Sequence, residues 1–416
     1  MAPAQRIGRS SAGLALLAAA WLAVAAAACG HRELQADREA LAAAPPDLLI
    51  KLRADPYNYF RFINHEWTSR VCEVFAGDLP SQPTVQLHGD AHVEQYAFTK
   101  SAWGLDDFDD STRGPALVDI IRFLGSIDLA VRRRGWTRDR DRVFDRFVAG
   151  YRQGLSDPLN QPPRPPIVER MKLQQSPRTN EAFLAWADTL MEPMSETVTK
   201  GVTTAMSEFA RIVQQERPDL PDAYFRIAHA GWLRMGIGSA TAKKVLIRVD
   251  GPSPRQEDDV LLEAKAIRAL ADVRCLETPK SRPTFRVITG NQQLGRLKHD
   301  ILAAGPEVPI PGLSSEGPNL SDWWIRSWEP SYREIGLDDF GSVEELASVV
   351  YDSGAQLGAG SVHLPGQAVE VGLQQQSLAA LGRFEGRLGG EAVHLVEQML
   401  RGWERLATTQ GLTRSK

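Results

Sequence analysis

Cysteine is scarce in this chain: 416 residues hold only Cys29, Cys72 and Cys275. No two of them stand close together, which excludes a zinc framework of paired cysteines. Cys29 closes an N-terminal stretch of separate character. Cys72 and Cys275 are then left either to form one disulfide or to stay as two buried thiols, and spacing alone does not choose. Net charge is equally slight. With 48 Lys and Arg against 52 Asp and Glu, the formal charge of −4 excludes a global basic field for holding nucleic acid or an anionic membrane. Internal repeats and low-complexity tracts are missing, which excludes a repeat architecture. What remains is the composition of a folded globular protein, 43% apolar and 24% charged, long enough for one large domain or two ordinary ones. Function must reside in local sites.

The N-terminus carries Arg6 and Arg9, then an uncharged Ala/Leu-rich run from Ser10 to Ala28. This is the pattern of an export signal. Ala26-Ala27-Ala28-Cys29 resembles the lipobox of bacterial lipoproteins, with Ala26 where leucine is usual. The expectation is a lipid-modified Cys29 that anchors a periplasmic protein to a bacterial membrane; plain cleavage and an uncleaved single span are the alternatives. Loss of Arg6 and Arg9 leaves 46 basic against 52 acidic side chains, a mature charge of −6.

A mobile linker is expected to residue 54, followed by helix over Asp55 to Phe75 and a buried strand over Thr84 to His88. In VQLHGDAHVEQYAF, residues 85 to 98, the polar residues His88, Asp90, His92 and Glu94 alternate with small or apolar ones, so an extended backbone would turn all four to one face. Short strands are read at Tyr96 to Thr99 and Trp103 to Asp106, around an acidic stretch WGLDDFDDSTRGP. The strongest helix signal follows, with Pro115 in its first turn and Leu117, Ile120, Ile121, Leu124 and Ile127 at helical spacing. Further helices are expected over 141–154, within 180–217, over 343–361 and over 375–408, with SDPLNQPPRPP as a loop. Between the helical parts lies a β-rich module, with strands before and after the turn at Gly251-Pro252 and another in DWWIRSWEP.

Two carboxylates arriving from neighbouring strand ends suit magnesium, which takes oxygen ligands and keeps several waters. Asp90 and Asp107 are the natural pair, with Asp109 beside them. One carboxylate would act as base toward a hydroxyl while the others fix the metal. The rival is a His88-Asp90-His92 transition-metal site of a hydrolase, activating a bound water. The plainer alternative makes both histidines supports for tight turns. Asp119 and Arg122, three apart on the strong helix, would face each other and clamp the acidic loop. Gly236, Gly238 and Ser239 open a strand pair that ends near Lys265, a combination able to hold phosphate through backbone amides and an ammonium.

At these residues the chain resembles the bacterial family called domain of unknown function 2252, of the protein-kinase-like superfamily. The likeness lies in HGDAHVEQYAF and LDDFDDSTRGPALVDIIRFLGS, and continues in MGIGSATAKKVLIRVDG with LLEAKA, in WWIRSWEP and in GAQLGAGSVHL, over about residues 55 to 365. HGDAHVEQ also resembles the signature of aminoglycoside phosphotransferases. The resemblance implies an α+β, two-lobe kinase-like fold that binds ATP and Mg2+ and acts on a small-molecule or protein acceptor. It makes Asp90 the base, Asp107 the metal aspartate, Lys265 the phosphate lysine, and Gly236 and Gly238 the glycine loop. The second metal ligand, normally asparagine, falls on Gln95, one methylene longer. The catalytic motifs precede the glycine loop and lysine, which implies a circular permutation. Residues 55–224 would be the helical lobe, 225–330 the small β-rich lobe with its hinge near Trp328 to Pro330, and 331–416 C-terminal helices returning to the helical lobe. A catalytically degenerate binding scaffold is the second reading.

Overall fold

The computed structural model describes residues 33–174, 178–221, 223–233, 243–267, 270, 273–277, 283–313 and 323–408. The stretch expected to be an export signal, with Cys29, and the loop residues Gly236, Gly238 and Ser239 lie outside them. Four helices, α1 (Arg38–Ala43), α2 (Pro46–Ala54), α3 (Pro56–Phe62) and α4 (Asn64–Val74), lead to β1 (Thr84–Leu87), β2 (Tyr96–Phe98), β3 (Trp103–Leu105) and β4 (Thr112–Pro115). Next come α5 (Leu117–Arg134), α6 (Arg140–Ser156), α7 (Pro166–Gln174), α8 (Asn180–Asp188), β5 (Met191–Glu192) and α9 (Glu196–Glu216). The remainder is β6 (Ile227–Leu233), β7 (Lys244–Val249), β8 (Val260–Ala266), α10 (Thr284–Leu294), β9 (Leu302–Ala304), β10 (Trp323–Ser327), β11 (Arg333–Glu334), α11 (Val343–Val362) and α12 (Val371–Thr408). The architecture is mixed α+β. Among the described residues no helix is long and apolar enough to cross a membrane.

The larger core surrounds α5, whose Leu117, Ile120, Ile121, Leu124 and Ile127 are all buried as their spacing predicts. Its start differs from the expectation. Pro115 ends β4, opposite Thr84 of β1, and the helix begins two residues later; a residue without an N–H fits the end of a two-stranded ribbon. Conversely, the last proline of SDPLNQPPRPP starts α7, where its missing donor costs nothing. Helices α6 and α11 cross backbone to backbone: a Cβ on Gly150 would lie 2.0 Å from Tyr351 O, and one on Gly354 2.3 Å from Phe147 O. That contact accounts for Gly354 and Gly358 of GAQLGAG, while Gly360 meets Leu294 of α10.

The main sheet is antiparallel, in the order β5-β6-β7-β8-β10-β9. Alternation along its strands separates two faces. Val245, Ile247, Leu262, Trp323 and Ile325 pack against Val202, Met206 and Phe209 of α9. Leu246 and Leu261 turn the other way, toward Phe183 and Leu184 of α8. By the same period Lys244, Glu263, Lys265, Trp324 and Arg326 point to the α8 side. Lys265 thus stands within β8 rather than at the end of a shorter strand, directly opposite Lys244 of β7. Helix α10, unread in the sequence, interrupts the β-rich stretch. Just before it Cys275 joins Cys72 of α4 in a disulfide, with Cα atoms 5.8 Å apart, which decides the alternative left open above.

Candidate functional site

The backbone after β1 does not stay extended. Gly89 adopts φ 84°, and a Cβ there would sit 1.9 Å from Asp110 O, so only glycine lets the two loops touch. The turn sends the four polar residues of the motif to different places. His88 is fully buried; its Nε2–H donates to Asp106 O at 2.9 Å while Nδ1 accepts from Asp90 N–H at 3.3 Å, so both ring nitrogens are committed to backbone. His92 is also fully buried, edge-on to Tyr57 and 3.8 Å from Asp90 Oδ2. Burial, then the nearby Arg61 and Arg122, holds its pKa well below the usual range, so it stays neutral. Glu94 pairs with Arg61 at 3.1 Å. Of the four, Asp90 alone reaches the cavity described below, and Gln95 joins it there.

Asp119 and Arg122 are not ion-paired with each other; each clamps the loop after β1. The Asp119 carboxylate accepts from His88 N–H at 2.6 Å and Gly89 N–H at 2.9 Å. Arg122 lies over the Phe60 ring, 3.8 Å from its centroid, and donates through Nε and Nη2 to Asp90 Oδ1 at 3.0 and 2.6 Å. Oδ2 of Asp90 lies 3.8 Å from His92 Nε2, and the side chain, 12% exposed, lines the cavity. Burial raises the Asp90 pKa above the ordinary carboxylate value, and Arg122 opposes this without reversing it.

The acidic loop is shaped for its contacts. Asp107 takes left-handed backbone angles, φ 62° and ψ 64°, a sparsely populated region for a residue with a Cβ, of the kind that clusters at functional sites. Lys265 Nζ donates to Asp107 Oδ1 and Asp109 Oδ2, each at 2.9 Å. Arg286 of α10 holds the loop from behind through the carbonyls of Asp109 and Ser111, at 2.6 and 2.9 Å. Beside these, Glu263 accepts from Arg326 Nε at 3.0 Å and Trp328 Nε1 at 2.9 Å, with Lys244 at 3.8 Å. Arg326 also reaches Asp106 at 3.2 Å.

The electrostatics follow from burial against countercharge. Desolvation pushes Asp107 up, but Lys265, Lys244 and Arg326 outweigh it and hold the carboxyl well below the usual range. Asp109, pushed up by burial and by the Asp107 charge, reaches about 6. Burial disfavours the Lys265 ammonium, yet Asp107, Asp109 and Glu263 more than compensate and raise its pKa. All these groups wall one cavity of about 720 Å3. Asp90, Gln95, Asp107, Asp109 and Lys265 meet there, with Phe183, Trp186 and Trp328 supplying an aromatic side. His88 and His92 lie behind the wall.

Residues 48–184 match the DUF2252 family model, described as an uncharacterized protein conserved in bacteria. The match supports membership of that family. It covers both acidic clusters but none of the three later blocks of resemblance. No curated protein and no solved structure matches the chain.

The matched segment contributes Asp90, Gln95, Asp107 and Asp109; Lys265 comes from outside it. Glu263, Lys244, Arg326 and Arg286 are the site residues that reading the sequence missed. For Glu263 a signal was available, since LLEAKA places it two residues before Lys265 and so on the same strand face. Arg286 gave none, because its targets are backbone carbonyls. The donor set fits a hard cation. Asp109 Oδ1 is buried without a hydrogen-bond partner, and magnesium needs only one or two protein carboxylates beside its waters and substrate oxygens. Among the described residues no cluster of three or more His, Cys, Asp or Glu side chains has metal-holding geometry, so nothing here supports a His88-Asp90-His92 centre.

Proposed function

We propose that the cavity binds a nucleotide with magnesium, and that the chain is a kinase-like phosphotransferase with Asp90 as base and Asp107 and Asp109 as the metal-side carboxylates. One observation carries the reading: Lys265 donates to both acids at 2.9 Å across 158 and 156 positions of chain, in the wall of a cavity of nucleotide size. Magnesium would supply charge neutralisation at the phosphate oxygens. The chain's own residues do the remainder. Lys265 and Lys244 present ammonium groups on one sheet face, and the aromatic side of the cavity offers a surface for a base. Arg122 fixes Asp90 so that Oδ2 can take a proton from an acceptor hydroxyl. The acidic loops come before the lysine strand in sequence and face it in space, which is what a circularly permuted two-lobe kinase-like fold would require. Export to the periplasm on a lipidated Cys29 belongs to the same proposal.

A second reading, binding without turnover, is favoured by Gln95 in the place of asparagine, because the longer side chain shifts the amide oxygen in a site where magnesium tolerates little displacement. Thermal unfolding of the mature chain with ATP separates the readings. A magnesium-dependent rise in melting temperature, lost in Asp107→Ala, is expected. No response to nucleotide with or without magnesium would sink the nucleotide reading and favour the non-catalytic scaffold; a response without phosphate transfer or release also selects the second reading.

A further inference from the structure

The first described residues are pinned to one end of the molecule. Leu34 N–H donates to Gln398 O of α12 at 3.1 Å, and Leu34 O lies so close to Gly402 that a Cβ there would be 2.1 Å away. Tyr59 Oη accepts from Ala36 N–H at 2.8 Å and donates to Leu34 O at 3.3 Å. Glu33 pairs with Arg405 at 2.5 Å. Helix α2 packs beside this anchor, its Leu52 carbonyl accepting from Trp403 Nε1 at 3.0 Å. Next to it Ile50, a large aliphatic side chain, is 69% exposed.

Only Gly30, His31 and Arg32 separate Glu33 from Cys29. Four peptide steps reach at most about 14 Å, whereas a folded chain of this size is on the order of 50 Å across. A lipid on Cys29 would therefore fix which end of the molecule meets the bilayer. We infer that the membrane-facing surface is the end formed by residues 33–36, the exposed side of α2 with Ile50, and the last turns of α12. Ile50 is placed to enter the interfacial layer, where an aliphatic side chain gains by leaving water. The opposite end of α12, at Val371, is 58% exposed and about 45 Å from Gly402 along the helix. The inference rests on acylation of Cys29 and not on the nucleotide reading.

The test uses the full chain, purified from membranes and reconstituted in vesicles containing lipid spin-labelled at the headgroup. Ile50→Cys and Val371→Cys each carry a fluorophore; Cys72 and Cys275 are paired and do not compete for it. Quenching several-fold stronger at position 50 than at 371 is expected, with Cys29→Ala releasing the protein from the membrane. Equal or stronger quenching at 371 overturns the inference. So does mass spectrometry that finds no lipid on Cys29.

Discussion

At the residue scale the site is built from buried charges that cannot lose a partner cheaply. Arg122 satisfies Asp90 with two hydrogen bonds to one oxygen and gives a third to Phe60 O at 3.0 Å. Arg122→Met would strand the carboxylate in a buried setting, and a loss of about 3–5 kcal/mol in urea-denaturation stability is expected; a change below about 1 kcal/mol would show that the loop is held by other contacts. Glu263 offers a pH readout. Burial pushes its pKa up, but Lys265, Arg326 and Lys244 bring it down from 4.5 to about 2. Because the folded value is depressed, its contribution is complete above about pH 4.5 and fades as pH falls toward about 2, worth roughly 3 kcal/mol in all. Glu263→Gln should flatten the stability profile over that acid range while lowering stability at neutral pH. An unchanged profile would mean that other acids set it.

At the scale of elements, the sequence was legible wherever a period ran long enough. Helix α5 and the strands β7, β8 and β10 of the main sheet stand where the sequence placed them. Some short pieces, β1, β2 and β3, were legible as well, and others were not. Strand β4 went unread inside the acidic stretch, only its last residue, Pro115, being placed in the following helix, and α10 was overlooked inside a stretch rich in strand signals. The glycines of GAQLGAG, quoted above only as a family likeness, turn out to serve helix contact. Gly150→Ala would push a methyl group against Tyr351 O, which a Cβ would meet at 2.0 Å. The two helices must then separate, at a cost of about 3 kcal/mol, readable as a lower denaturation midpoint; an unaltered midpoint would show that α6 and α11 can slide apart freely.

At the scale of the whole molecule, the disulfide closes a separation of 203 residues and ties the segment before α10 to the helical core. That segment also bonds to β4, Glu277 N–H donating to Arg113 O at 2.8 Å. Reduction, or Cys275→Ser, is expected to lower stability by about 3–5 kcal/mol, chiefly by freeing the unfolded chain. Urea unfolding with and without reductant measures it. If the two curves coincide, the packing around the segment suffices and the bond is dispensable.

The sequence by itself determined the alternation of helical segments with a strand-rich one, the apolar faces of the long helices, and which acids and which lysine were candidates for the site, because each of these depends on side-chain type and local period. Only the tertiary structure decided who meets whom. Gly89 turns the backbone so that Asp90 enters the cavity while His88 and His92 are walled off, and the fold brings Lys265 onto Asp107 and Asp109 across 158 and 156 positions. Contacts between residues so far apart in the chain follow from how helices and sheet pack, and no local pattern records that.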